Sequence, residues 1–199
     1  MWDSSYVRIL LWLLTEMPSA GHNTGWIQTA KQNMKIIDQR YMDSDNRYST
    51  QPCLLSILEV DDTPANPVAM ASLDQRLLVL LPGVRNQAAM VGLRAEGVPQ
   101  IVRVVQQVAM ELRRLALNEV SVGFVGVVPR TRGRYRLVLP YGATARAAAA
   151  PALRIATQMV SALRAGKSFN LQAAVARLRA LADRRSLPRS QRAAFAVAA

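Results

Sequence analysis

Six apolar residues, Ile101, Val104, Val105, Val108, Leu112 and Leu115, recur at helical spacing and define one apolar face. The spacing predicts a helix over residues 99–116, and a face of that width has to be buried against a second layer. Arg103, Gln107, Met110 and Arg114 fall on another face of the same helix. Whatever this chain does, it is built around that helix and its packing partners.

The partners are legible on both sides of it. Residues 34–38 alternate in the β manner and predict a first strand. Asp43, Ser44, Asp45 and Asn46 form a turn cluster, and Pro52 opens a second strand over 53–60, ended by a loop at 61–67. Leu73, Leu77, Leu78 and Leu81 predict a helix that Pro82 and Gly83 stop. Residues 84–98 read as loop, with Gly92 and Gly97 in it. After the central helix, 120–128 is β-branched and strand-like, interrupted by Gly123 and Gly126. A turn at 130–133 and a strand at 134–141 complete a hairpin with a long basic tip. Residues 143–165 form a long Ala-rich helix with Ala149, Leu153, Ala156, Val160 and Leu163 inward and Gly166 at its C-terminal cap. Residues 171–184 form another, with Leu171, Val175, Leu178 and Leu181 inward and Arg177 and Arg184 outward; 190–199 is a weakly helical tail. Strands precede most of the helices, so the expected fold is α+β: a small mixed or antiparallel sheet packed with about four helices. It forms a single domain, 34–199, preceded by an N-terminal arm, 1–33.

Charge narrows the partners. The net charge of the 199-residue chain is +12, but residues 1–102 carry 8 Lys/Arg against 10 Asp/Glu and residues 103–199 carry 17 against 3. A basic partner surface therefore belongs to the second half, and its cations are nearly all Arg, whose planar fork pairs carboxylates and phosphates. At 51% hydrophobic and 19% charged residues, the chain is a folding sequence rather than a disordered one. No apolar run approaches the ~18–20 residues that span a bilayer. Cys53 is the only cysteine, which excludes an intrachain disulfide and fits a reducing cytoplasm. In the arm, the apolar run at 7–14 follows Asp3 and carries a single Arg, Arg8, rather than following the basic start of a signal peptide, and Met34 is an alternative start.

Catalytic patterns are thin. His22, in the arm, is the only histidine, which removes His-based triads and ordinary zinc clusters. Asp61 and Asp62 read as a solvated turn rather than a cation site. Ser121 to Gly126 is glycine-rich but lacks the Lys-Ser/Thr of a phosphate loop and opens no helix. Basic residues are the stronger feature. Arg130, Arg132, Arg134 and Arg136 alternate through the hairpin, so Arg134 and Arg136 share one face of their strand and Tyr135 takes the other.

From Met34 onward the chain resembles the N-terminal domain of cyanophycin synthetases. MKII at 34–37 resembles that domain's opening strand, and LLVLLPG at 77–83 the helix end before a His/Cys-containing loop. VAMEL at 108–112 resembles the end of the family's H-x-x-E-H-V-A-L-E-L helix, and VGF at 122–124 the strand after it. Gly133, Tyr135 and Tyr141 match a P-G-x-Y…E-Y strand; GKSFNL at 166–171 and ARLR at 176–179 match the closing helix pair. The resemblance covers roughly the last five-sixths of the chain.

It implies where a metal would sit and that none is held. Aligned on 108–112, the H-x-x-E-H positions fall on Arg103, Gln106 and Gln107. In some family members these positions resemble an inverted zinc-peptidase helix that clips the polymer. Two imidazoles and a carboxylate base are needed there; Arg103 repels a cation, Gln106 accepts no proton, and Gln107 is a poor ligand. A register shifted by one falls on Val102, Val105 and Gln106 and supplies no ligands either. The loop after Gly83 lacks the family's His and Cys, and an early R-G-P-N departs to residues 43–46. The ATP-grasp and Mur-ligase-like domains that join Asp and Arg are absent from these 199 residues. The resemblance thus implies a non-enzymatic, cofactor-free domain of the cyanophycin system that binds the Asp/Arg polymer, a full-length synthetase, or both. Arg103, Arg114, Arg130, Arg132, Arg134 and Arg136 are the expected polymer contacts, with the hairpin and the polar face of the helix forming one surface. The alternatives are a basic nucleic-acid-binding protein, which no recognised motif supports, and a non-functional fragment of a synthetase gene.

Overall fold

The computed structural model describes residues 34–61, 67–86, 97–143 and 145–186. The N-terminal arm and the tail at 190–199 lie outside them. Four strands, β1 (Met34–Met42), β2 (Cys53–Val60), β3 (Phe124–Val127) and β4 (Arg134–Pro140), form one sheet in the order β1-β2-β4-β3. Every pairing is antiparallel. The long helices are α1 (Pro67–Leu80), α2 (Gln100–Leu117), α3 (Arg146–Arg164) and α4 (Leu171–Ser186). The α+β expectation holds, and the sheet resolves as antiparallel.

β2 and β4 occupy the centre because both are apolar on both faces. On the inner face Leu54, Leu58 and Val60 meet Tyr135, Leu137 and Leu139 in the main core. Cys53 and Val138 point the other way and are also fully buried. The β1–β2 connection lies over them. Asn46 Nδ2 donates to Cys53 Sγ at 3.5 Å, and the Tyr48 ring packs on Phe124 with centroids 6.2 Å apart. β1 is half-exposed and shifts register between Ile36 and Asp38, a bulge that suits an edge strand.

All the helix packing is on the inner face, where α2 lies against β3 and β4 and α3 against β1. α3 is the most enclosed helix: it contacts α1, α2 and α4 as well as the sheet. Its run of Ala148, Ala149, Ala150, Ala152 and Ala156 is buried, since small side chains let several neighbours approach one axis. Gly166, at φ +74°, ends it as expected. Asn170 then opens α4 by accepting the Ala173 N–H at 3.0 Å.

Two sequence expectations change. The strand predicted over 120–128 is only Phe124–Val127, and Val120 and Val122 are exposed. Gly123 is packed so close to Val138 O and to the Gln106 amide that a Cβ would overlap both. The chain enters the sheet only beyond that point. Residues 84–86 form a helical turn rather than loop. Among the described residues no helix is long and apolar enough to cross a membrane.

Candidate functional site

α1 and the turn after it touch α2 at two levels and leave a cleft between them. At one end Gln100 Nε2 donates to Asp74 Oδ2 at 3.1 Å. At the other, Gly83 is packed against the Glu111 carboxylate, so closely that a Cβ would overlap it. Gln100 and Glu111 are eleven residues apart, about 16 Å of helix. The cleft holds about 460 Å³ and is lined by Asp74, Leu77, Leu78, Val84, Arg85, Gln100, Arg103, Val104 and Gln107. Its floor is apolar because α1 turns Leu77 toward the core and leaves Leu78 half-buried above it.

Of the three positions that the resemblance aligns with a metal site, Arg103 and Gln107 line this cleft and the third does not. Gln106 is fully buried on the sheet side of α2, with Nε2 3.5 Å from Val138 O. The three side chains therefore do not converge on one point. Among the described residues no three His, Cys, Asp or Glu side chains gather to hold a metal. The groups present do not fit zinc: a guanidinium faces the cleft and the Gln106 amide faces away from it.

Charge in the cleft is lopsided. Arg103 is half-buried and Arg85 exposed, and among the described residues neither has a carboxylate partner. Among the described residues Asp74 is the single acid lining the cleft. One turn beyond Gln107, Glu111 is 1% exposed and accepts both Arg114 Nε at 2.8 Å and Nη2 at 2.7 Å. That pairing raises the Arg114 pKa, the hydrogen bond contributing most. Arg114 is thus committed to Glu111. Met110, expected on the polar face, is buried beside Gly123 instead, because α2 is covered by the sheet on that side as well.

The hairpin arginines are elsewhere. Arg134 and Arg136 share a strand face and Tyr135 is buried on the other, as alternation requires. Their face is the one away from the helices, so Arg134 and Arg136 do not join Arg103 and Arg114 in one surface. The expected continuous surface is corrected by the layer order: the sheet stands between its two halves. Arg134 Nε donates to Glu59 Oε1 at 2.9 Å. Arg136 donates to Val127 O at 3.0 Å and to Tyr48 Oη at 3.4 Å, with its guanidinium over the Tyr48 ring. Arg130 and Arg132 are exposed at the tip, Arg130 with φ 60°.

Sequence reading did not single out Asp74, Arg85 or Gln100. Asp74 was the available signal: it is the one acidic residue in the sequence of α1. Arg85 is eighteen residues before Arg103, and nothing in sequence spacing says that the two line one cleft. No family model matches the chain, and no curated protein matches it.

Proposed function

We propose that this chain is a non-catalytic, cytoplasmic binding domain of the cyanophycin system. It holds the Asp/Arg polymer in the α1–α2 cleft, alongside a companion synthetase. One observation carries the reading: Arg103 and Arg85 face an open cleft with no carboxylate pairing either of them among the described residues. Guanidinium groups left in that state are suited to bidentate capture of a ligand's carboxylates. The polymer offers them in series along a poly-Asp backbone. The α2 wall of the cleft, from Gln100 to Gln107, is about 10 Å long and spans about three residues of extended chain. The resemblance places the polymer-meeting helix of related domains on α2, which is the wall that carries Arg103.

Single exposed pairs contribute about 0.2–1 kcal/mol, so retention depends on several acting along a repeating ligand. The test is co-sedimentation of the full chain with insoluble cyanophycin, with duplex and single-stranded DNA as parallel baits. The Arg85→Gln/Arg103→Gln double variant should lose most of the pelleted protein while keeping its circular dichroism spectrum. Unchanged pelleting, or preference for DNA, overturns the reading. Incubation with the polymer, with or without added zinc, should release no short chains; chelator-sensitive release would require an enzyme instead.

A further inference from the structure

Among its described lining residues the cleft carries Arg85 and Arg103 against one acid, Asp74, and that acid is held in place. Asp74 is tied to Gln100, and Arg103 follows Gln100 by one turn of α2, about 4.5 Å of rise. A carboxylate and a guanidinium therefore border the same short stretch of cleft, with the apolar side chains of Leu78 and Val104 between the walls. A purely anionic ligand gains at Arg103 and Arg85 but is repelled at Asp74. A ligand carrying both signs on neighbouring groups gains at both walls. The apolar floor suits the aliphatic stem of a long cationic side chain, which lies along apolar surface while its head reaches a carboxylate.

We infer that Asp74 is a specificity-determining residue: it makes the cleft select acidic chains whose side chains also bear guanidinium groups over chains that bear carboxylates alone. The inference rests on the polymer-binding reading above. In physical terms Asp74 contributes by repulsion of the wrong ligand as much as by attraction of the right one. The amide of Gln100 keeps the Asp74 carboxylate oriented without setting a cation against it, as an Arg would.

The experiment uses the full chain and two soluble probes of matched length, polyaspartate and the arginine-bearing Asp polymer, titrated calorimetrically at one ionic strength. Wild type should prefer the arginine-bearing chain by about two- to fivefold, the range of one exposed ion pair. Asp74→Asn should bring the two affinities together, by gaining on polyaspartate and losing on the arginine-bearing chain. Asp74→Glu should restore the preference, and Arg103→Gln should weaken both probes alike. If wild type binds both probes equally, or Asp74→Asn leaves the ratio unchanged, the role of Asp74 is overturned and the polymer reading stands. If wild type binds neither probe, the polymer reading falls and this inference with it.

Discussion

Gly83 closes one end of the cleft, and its missing Cβ is what lets the Glu111 carboxylate lie there. Its φ is ordinary, so the requirement is space rather than backbone freedom. Gly83→Ala should lower stability by about 1–3 kcal/mol, because the buried carboxylate has to move off its Arg114 fork. Gly126→Ala is the control: nothing lies within 4 Å of a Cβ there, and the change should stay within about 0.5 kcal/mol. Urea midpoints of the two variants check this, and equal midpoints would mean that Glu111 swings aside at no cost. Two other buried groups set the alkaline limit. Burial raises the Cys53 thiol above 9.0, against a smaller lowering from its Asn46 hydrogen bond, and burial likewise raises the Tyr141 phenol above 10.0. Both groups keep their protons in the fold at a pH where the unfolded chain has lost them. Their contribution is complete below about pH 9 and is lost as pH rises through the folded pKa values. A Cys53→Ala/Tyr141→Phe variant should therefore show a shallower fall in unfolding free energy between about pH 9 and 11 than wild type. Parallel slopes would rule these two groups out as the cause.

At the scale of elements, the end of α2 is secured from outside. Asn118 takes the left-handed conformation at φ 55°, and its N–H reaches Arg114 O. Arg179 of α4 donates to Leu115 O at 2.8 Å and Ala116 O at 3.2 Å, satisfying carbonyls that a helix end leaves open. Arg179→Ala should cost about 1 kcal/mol and speed amide hydrogen exchange in the last turn of α2 more than in its first. Uniform exchange along α2 would show that the cap is decorative. Helices were the legible elements: α2, α3 and α4 each repeat apolar residues at 3.6-residue spacing, and Gly166 marks the end of α3. β2 was legible to the residue because Pro52 and Asp61 bracket an apolar run. β3 was not, since Val120 and Val122 have strand propensity but no partner strand, and the close approach of Gly123 to β4 is a tertiary event. The cleft was half-legible. Arg103 and Gln107 were named from α2, whereas Asp74 and Arg85 arrive from α1 and its following turn, which no local spacing connects to α2.

At the scale of the whole molecule, basic residues are divided by the sheet. The cleft, with Arg85 and Arg103, belongs to the helix layer, and Arg134 and Arg136 belong to the opposite sheet face. On that face Arg134 is paired to Glu59 and Arg136 to backbone and Tyr48, and Arg130 and Arg132 are exposed at the hairpin tip. A short ligand reaches one region only; a long polymer reaches both, and the second contact then acts at high effective concentration. The two regions also differ in screening. Exposed charges at a hairpin tip are screened over ~8 Å at physiological ionic strength, while pairs formed inside a cleft are screened less. Arg130→Gln/Arg132→Gln should therefore weaken retention of long polymer at low salt, have little effect at about 0.5 M salt, and leave the affinity for a chain of about ten residues unchanged. Arg85→Gln/Arg103→Gln should weaken both lengths at both salt concentrations. Titrating the two double variants against short and long polymer at two ionic strengths separates these outcomes. A hairpin variant that loses short chains as severely as the cleft variant would place the primary contact on the sheet face rather than between α1 and α2.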